Sequence, residues 1–234
     1  MVRCHSLANG GFEVMGRRRS RESLVRRGPR REPFERVLIV CEGEKTEPNY
    51  LRELIAHYQL SSANVEIVGD GGAAPISVVE QALALFRKDL DYNAVFCVFD
   101  RDGHESYGRA LQCMQAASPL ERRLGRRKSG AARFEAITSN PCFEYWILLH
   151  YQYTTAPMLR FSDVEPRLRL IPAHAAYEKG AKGLFACTQD KLETAVTHAD
   201  RANAHAIEHD TDNPTTQMSS LIRYLRELAE KKSV

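Results

Sequence analysis

At 234 residues and 43% hydrophobic content, the chain has enough material for one packed domain with elaborations, or one domain and a small second lobe. No apolar run reaches the ~18 residues of a membrane span, and the N-terminus has no apolar signal core, so a cytoplasmic protein without membrane contact is expected. The net charge of +3 hides two basic segments, 1–36 with ten Arg against four Glu and 121–133 with five Arg and one Lys against one Glu, on an acidic body; that distribution points to a polyanionic partner.

Residues 1–35 lack apolar periodicity and read as a basic, flexible N-terminal arm. The chain then changes character. Val37–Cys41 is a run of apolar residues, three of them β-branched, and reads as a buried strand. It ends in Glu42-Gly43, where glycine permits a tight turn, and Pro48 suits the start of a helix over 48–59. Residues 63–68 read as a second strand, followed by a loop carrying Asp70. Pro75 opens a helix with Ile76, Val79, Leu83, Phe86 and Leu90 as its buried stripe. A third strand, 94–99, ends in Asp100-Arg101-Asp102.

Strands alternating with amphipathic helices imply a parallel sheet covered on both faces. Its strand carboxyl ends would gather Glu42, Asp70 and Asp100 at one rim, where ligands bind in open α/β sheets. Further on, 104–118 reads as a helix, 121–133 as a basic loop and 133–138 as a short fourth strand. Asn140 is expected to cap a helix over 142–151 that carries Glu144 in its first turn. Residues 152–187, with Pro157, Pro166 and Pro172, read as an irregular insertion bearing Arg160, Arg167, Arg169, Tyr177, Lys179 and Lys182. Two helices follow, over 188–208 and after an Asn213-Pro214 cap. The expected division is an arm at 1–35, a core at 36–151, and an insertion with C-terminal helices at 152–234.

Two Asp one residue apart at a strand end, with a Glu at the end of another strand, are poor structural choices, because like charges repel. As a hard oxygen set they suit Mg²⁺ or Mn²⁺, so Glu42, Asp100 and Asp102 are the expected metal ligands. Lys45 would stabilise charge on a phosphoryl group. A solvated loop fits His104 better than a site, and a satisfied core position fits His150 better than catalysis. The six cysteines contain no C-x-x-C and read as free thiols. Arg122, Arg123, Arg126, Arg127 and Lys128 have no acidic partners in their segment and read as a nucleic-acid backbone contact.

Glu42-Gly43 with Asp100/Asp102 resembles the Toprim pattern. The longer wording, Val40-Cys41-Glu42-Gly43-Glu44-Lys45-Thr46-Glu47-Pro48-Asn49-Tyr50 with Ser139-Asn140-Pro141-Cys142-Phe143-Glu144-Tyr145-Trp146, resembles the RloB family of bacterial phage-defence and restriction loci. The resemblance spans roughly residues 36 to 230. It implies a Toprim-like, Rossmann-like α/β fold with a helical C-terminal extension. It also implies a Mg²⁺- or Mn²⁺-dependent endonuclease, a role for Glu42 in acid–base chemistry as well as ligation, and Glu144 as a further member of the catalytic set. An ATPase partner is implied too, since the chain has no nucleotide-binding motif of its own. A homodimer is a further expectation. The residues do not decide between DNA and RNA, tRNA included. The alternatives are a non-catalytic nucleic-acid- or partner-binding subunit with a vestigial metal site, and a nucleotidyl-transfer Toprim.

Overall fold

The computed structural model describes residues 35–61, 65–69, 74–101, 103–118, 120–124 and 127–233. The N-terminal arm, Asp70 with its loop, Asp102, Arg126 and the side chains of Arg127 and Lys128 lie outside the described residues.

In chain order the elements are β1 (Val37–Cys41), α1 (Thr46–His57), β2 (Val65–Gly69), α2 (Pro75–Lys88), β3 (Ala94–Asp100), α3 (Tyr107–Ala117), β4 (Glu121–Leu124), β5 (Arg127–Ala131) and β6 (Arg133–Asn140). They continue with α4 (Phe143–Leu149), α5 (Phe161–Arg169), a single 3-10 turn at Pro172–His174, α6 (Leu184–Thr188), a 3-10 turn at Gln189–Lys191, α7 (Leu192–Glu208), β7 (Thr215–Thr216) and α8 (Met218–Ser233). One sheet runs in the order β2-β1-β3-β6-β7, parallel except for the antiparallel edge β7. The fold is α/β and Rossmann-like, as expected.

Alternate side chains of a strand point to opposite faces, and this sheet covers both. Val37, Ile39, Cys41, Phe96 and Val98 pack on the side of α1, α4, α7 and α8, together with Trp146, Leu148, Ala199 and Leu221. Leu38, Val40, Val95, Cys97 and Phe99 pack on the other side against Val78, Val79, Ala82 and Phe86 of α2 and Ala110 and Met114 of α3. Burial on both faces is why β1 and β3 read as unbroken apolar runs rather than alternating ones. The C-terminal helices α7 and α8 thus pack directly on the sheet and share its main core.

Three expectations need correction. The basic segment 121–133 is not a loop. Glu121 pairs with Ala131, Arg123 with Lys128 and Leu124 with Arg127 in an antiparallel hairpin. It is a two-stranded sheet of its own, so burial in the main sheet imposed no apolar alternation on its sequence. Residues 152–187 are not irregular throughout. Pro166 lies inside α5, where it costs roughly 3 kcal/mol of helix propensity. Fully buried Val164 and Leu168 offset that cost, and Asp163 accepts the Leu159 N–H at 2.8 Å ahead of the first turn. Asn140 and Asn213 cap no helix. Asn140 Nδ2 donates to the Asp212 carbonyl at 2.6 Å, and Asn213 Nδ2 donates to Asn140 Oδ1 at 3.2 Å and to the Met158 carbonyl at 2.6 Å. This exchange seats β7 beside the end of β6.

The strand register fixes the working edge. Cys41 stands beside Gly69 and Val98, and Asp100 beside Ser139. The carboxyl ends of β1, β2, β3 and β6 thus share one rim, and α4 starts three residues past the end of β6.

Candidate active site

Glu42 follows β1 directly. Its backbone N–H continues the sheet to the Val98 carbonyl at 2.9 Å, which aims its side chain across the end of β3. There Oε2 accepts the backbone N–H of Asp100 at 2.9 Å, and Oε1 lies 3.6 Å from His104 Nε2. The Glu42 side chain is 14% exposed. His104, expected as a solvated loop residue, therefore borders the site.

Asp100 ends β3 and takes a hydrogen bond from the backbone N–H of Phe143 at the start of α4. Burial pushes its carboxyl well above the ordinary range, and the nearby charges of Glu47, Glu144 and Glu42 push it further the same way. Glu144, in the first turn of α4, is 2% exposed. Its Oε1 accepts the Tyr177 hydroxyl at 2.8 Å and lies 3.9 Å from Lys179 Nζ.

Glu47 is the residue the sequence did not single out. It stands in the first turn of α1 and folds back over Gly43, so a Cβ at Gly43 would overlap its Oε2. The Glu42-Gly43 pairing is explained by this close approach; Gly43 is not in the left-handed region. Burial raises the Glu47 carboxyl to about 7, with Glu144 and Glu42 adding to the rise and Lys179 opposing it. Oε2 of Glu47 is buried with no hydrogen-bond partner among the described residues. A buried, unpaired carboxylate oxygen is costly, and a water or a cation satisfies such an atom.

Lys45 is the exposed residue preceding α1. Together with Gly43, Glu44, Thr46, Glu47, Glu144, Lys179 and Gly180 it lines a cleft of about 340 Å³. A larger cleft of about 400 Å³ lies between α1 and β2, lined by Ile55, Leu60, Val65 and Ile67 with Arg52 and Glu66; Glu66 is the one carboxylate among its described lining residues.

Four carboxylates, Glu42, Glu47, Asp100 and Glu144, therefore act on one another at this rim, and Lys179 is the cation acting on Asp100, Glu47 and Glu144. Burial works against the Lys179 ammonium, but Glu144, Asp100 and Glu47 outweigh it and its pKa is raised. An all-oxygen set with one unpaired buried oxygen and an excess of negative charge fits a hard divalent cation. Glu42 and Asp100 are the residues that would hold it, with Glu47 beside them at the same rim. Among the described residues no group of three His, Cys, Asp or Glu side chains is placed to hold a metal ion; Asp102, the third expected ligand, lies outside them.

The remaining expectations divide. His150 is a core residue: its Nδ1 donates to the Trp146 carbonyl at 3.0 Å, Nε2 faces the Tyr50 hydroxyl at 3.4 Å, and burial lowers its pKa to about 4. Cys41, Cys97 and Cys142 are buried free thiols, and burial raises each pKa. Arg122 and Arg123 lie on β4, half-buried and exposed respectively, away from the carboxylate rim on a separate hairpin. Arg127 and Lys128 belong to β5 of the same hairpin. Among the described residues no helix is long and apolar enough to cross a membrane.

A family model described as RloB-like protein matches residues 37–225. The chain belongs to the RloB-like family. The matched span runs from the first residue of β1 into α8, so in this RloB-like chain it takes in Glu42, Glu47, Asp100, Glu144 and Lys179. Neither curated proteins nor solved structures gave a match.

Proposed function

We propose that this RloB-like chain is a divalent-metal-dependent endonuclease of the Toprim type, acting in the cytoplasm on DNA or RNA. The observation that carries the reading is the meeting of Glu42, Glu47, Asp100 and Glu144 at the carboxyl edge of the sheet, with Glu42 bonded to the backbone of Asp100. Such a set has little structural value, since each carboxylate raises the others' charging cost. Mg²⁺ or Mn²⁺ bound there would polarise a phosphoryl oxygen and assist formation of the nucleophile.

The chain's own residues supply the rest. The Asp100 N–H fixes the Glu42 carboxylate, and Tyr177 fixes Glu144. Lys45 stands at the solvent side of the cleft, where an ammonium offsets charge on a phosphoryl group. The basic segment of Arg122, Arg123, Arg126, Arg127 and Lys128 would contact a nucleic-acid backbone, with Arg122 and Arg123 carried on β4; such contacts supply affinity and salt dependence rather than sequence choice. By family resemblance the nuclease is the effector of an antiphage system, and it works with an ATPase because the chain itself has no nucleotide motif.

The test is cleavage of plasmid, single-stranded DNA and total tRNA with Mg²⁺ or Mn²⁺, with and without an ATPase encoded beside this chain. Wild type is compared with Glu42→Gln and Asp100→Asn. Metal-dependent cutting that both substitutions abolish supports the nuclease. Intact substrates under every condition, with nucleic-acid binding unchanged in both variants, would replace it with a binding subunit.

A further inference from the structure

The cleft has a wall that neither long motif supplies. Residues 176–186 run across the start of α1 and are fastened to it at two places. The Gly180 N–H donates to Thr46 Oγ1 at 2.9 Å, and Asn49 Nδ2 donates to the Gly180 carbonyl at 3.3 Å. Farther along, the Glu53 carboxylate accepts three backbone N–H groups, from Gly183 at 2.6 Å, Phe185 at 3.1 Å and Ala186 at 3.4 Å. Gly180 has φ +83°, and a Cβ there would press on Lys45 Cβ and Cδ at 3.0 and 3.1 Å. Only glycine combines that backbone with so close an approach.

Lys179 sits inside this fastened strap. Its ammonium lies 4.3 Å above the Phe161 ring, a cation–π seat, and 3.9 Å from Glu144 Oε1. The second distance is too long for a hydrogen bond, and Tyr177 already donates to that oxygen. Lys179 therefore pairs with Glu144 by charge without spending a hydrogen-bond donor on it. Its side chain is 54% exposed and lines the cleft, so three N–H donors on a held stem are available to a ligand there. A compact ammonium beside a rim of carboxylates suits a phosphate oxygen, because apart from Lys45 the other charged side chains lining the cleft are carboxylates.

We propose that Lys179 is a phosphate-contacting catalytic residue, carried into the cleft by a strap that Thr46 and Glu53 hold against α1. The proposal rests on the reading that this cleft receives a phosphodiester, and its test is separable from that reading. The probe is thymidine 3′,5′-bisphosphate, titrated calorimetrically into the full-length protein with Mn²⁺. Lys179→Ala should weaken binding about tenfold or more, the scale of one charge-assisted hydrogen bond. Lys179→Arg should restore part of that loss, which a purely structural lysine would not require, and Lys88→Ala, exposed at the end of α2, should bind as wild type does. Glu53→Gln should weaken binding in the same direction by loosening the strap. Equal affinity of wild type and Lys179→Ala, or no binding of the probe by wild type, overturns the proposal whatever the cleavage assay gives. Cleavage abolished by Glu42→Gln but untouched by Lys179→Ala also overturns it, while leaving the nuclease in place.

Discussion

The backbone N–H of Asp100 donates to Glu42 Oε2 at 2.9 Å, so two residues 58 positions apart form one unit at the ends of neighbouring strands. Glutamine at position 42 retains an acceptor oxygen for that N–H and removes only the charge. Glu42→Gln should stay within about 1 kcal/mol of wild type in urea unfolding, while metal-dependent cleavage falls by at least about 10²-fold. Parallel loss of folding and activity would instead make Glu42 a structural residue.

Asp100 sits among Glu47, Glu144 and Glu42, and its ionised form is disfavoured by burial and by all three. Asparagine removes that repulsion. Without divalent metal, Asp100→Asn should therefore be more stable than wild type, by an amount on the order of 1 kcal/mol. Mn²⁺ at a hundredfold excess over its Kd should stabilise wild type by about 2.7 kcal/mol and leave the variant unmoved. Thermal melts with and without Mn²⁺ check both signs.

The Glu47 carboxylate occupies the space a side chain at Gly43 would need. Gly43→Ala should displace it and weaken Mn²⁺ binding by about ten- to a hundredfold, the usual cost of disturbing a group that supports a metal site. In a Glu47→Ala background the same substitution should add no more than about 0.5 kcal/mol, because the clash is gone. Calorimetric titration of the four proteins closes the cycle. A full Gly43→Ala effect in the Glu47→Ala background would locate the cost in the turn itself.

His150, 1% exposed, has its pKa lowered to about 4, chiefly by burial. The unfolded chain takes up a proton near the ordinary value of about 6.5 and the folded chain refuses it until near 4, so this contribution is full above 6.5 and is lost as pH falls. The slope approaches about 1.4 kcal/mol per pH unit inside that window. Glu47, raised to about 7, works the other way: its contribution is present at low pH and is lost as pH rises through 7. The difference between wild type and His150→Gln isolates the histidine. That difference should shrink steadily from pH 6.5 to 4 in urea titrations; a constant difference would show that His150 titrates normally.

The sequence by itself determined the strands and what stands at their ends. β1 and β3 are apolar throughout because both of their faces are buried, and such runs are legible without a structure. The abrupt switch to Glu42 and Asp100 was equally legible, and so was the Glu144 motif, because each lies within a few residues of an element boundary. The hairpin at 121–131 was not, since with no face in the main sheet its residues are free to be basic. Nor was α5, whose Pro166 speaks against a helix locally and is overruled by the packing of Val164 and Leu168.

Only the tertiary structure decided the further members of the site. Glu47 became part of it because the turn at Gly43 brings the first turn of α1 back over the strand end. Tyr177 and Lys179 became part of it because Thr46 and Glu53, more than 120 residues earlier, hold the backbone of Gly180 and Gly183, just beyond them, against α1. Chain order carries no record of such approaches: the hydrogen bonds that make them join backbone groups every residue possesses, to side chains that would read the same on any exposed helix.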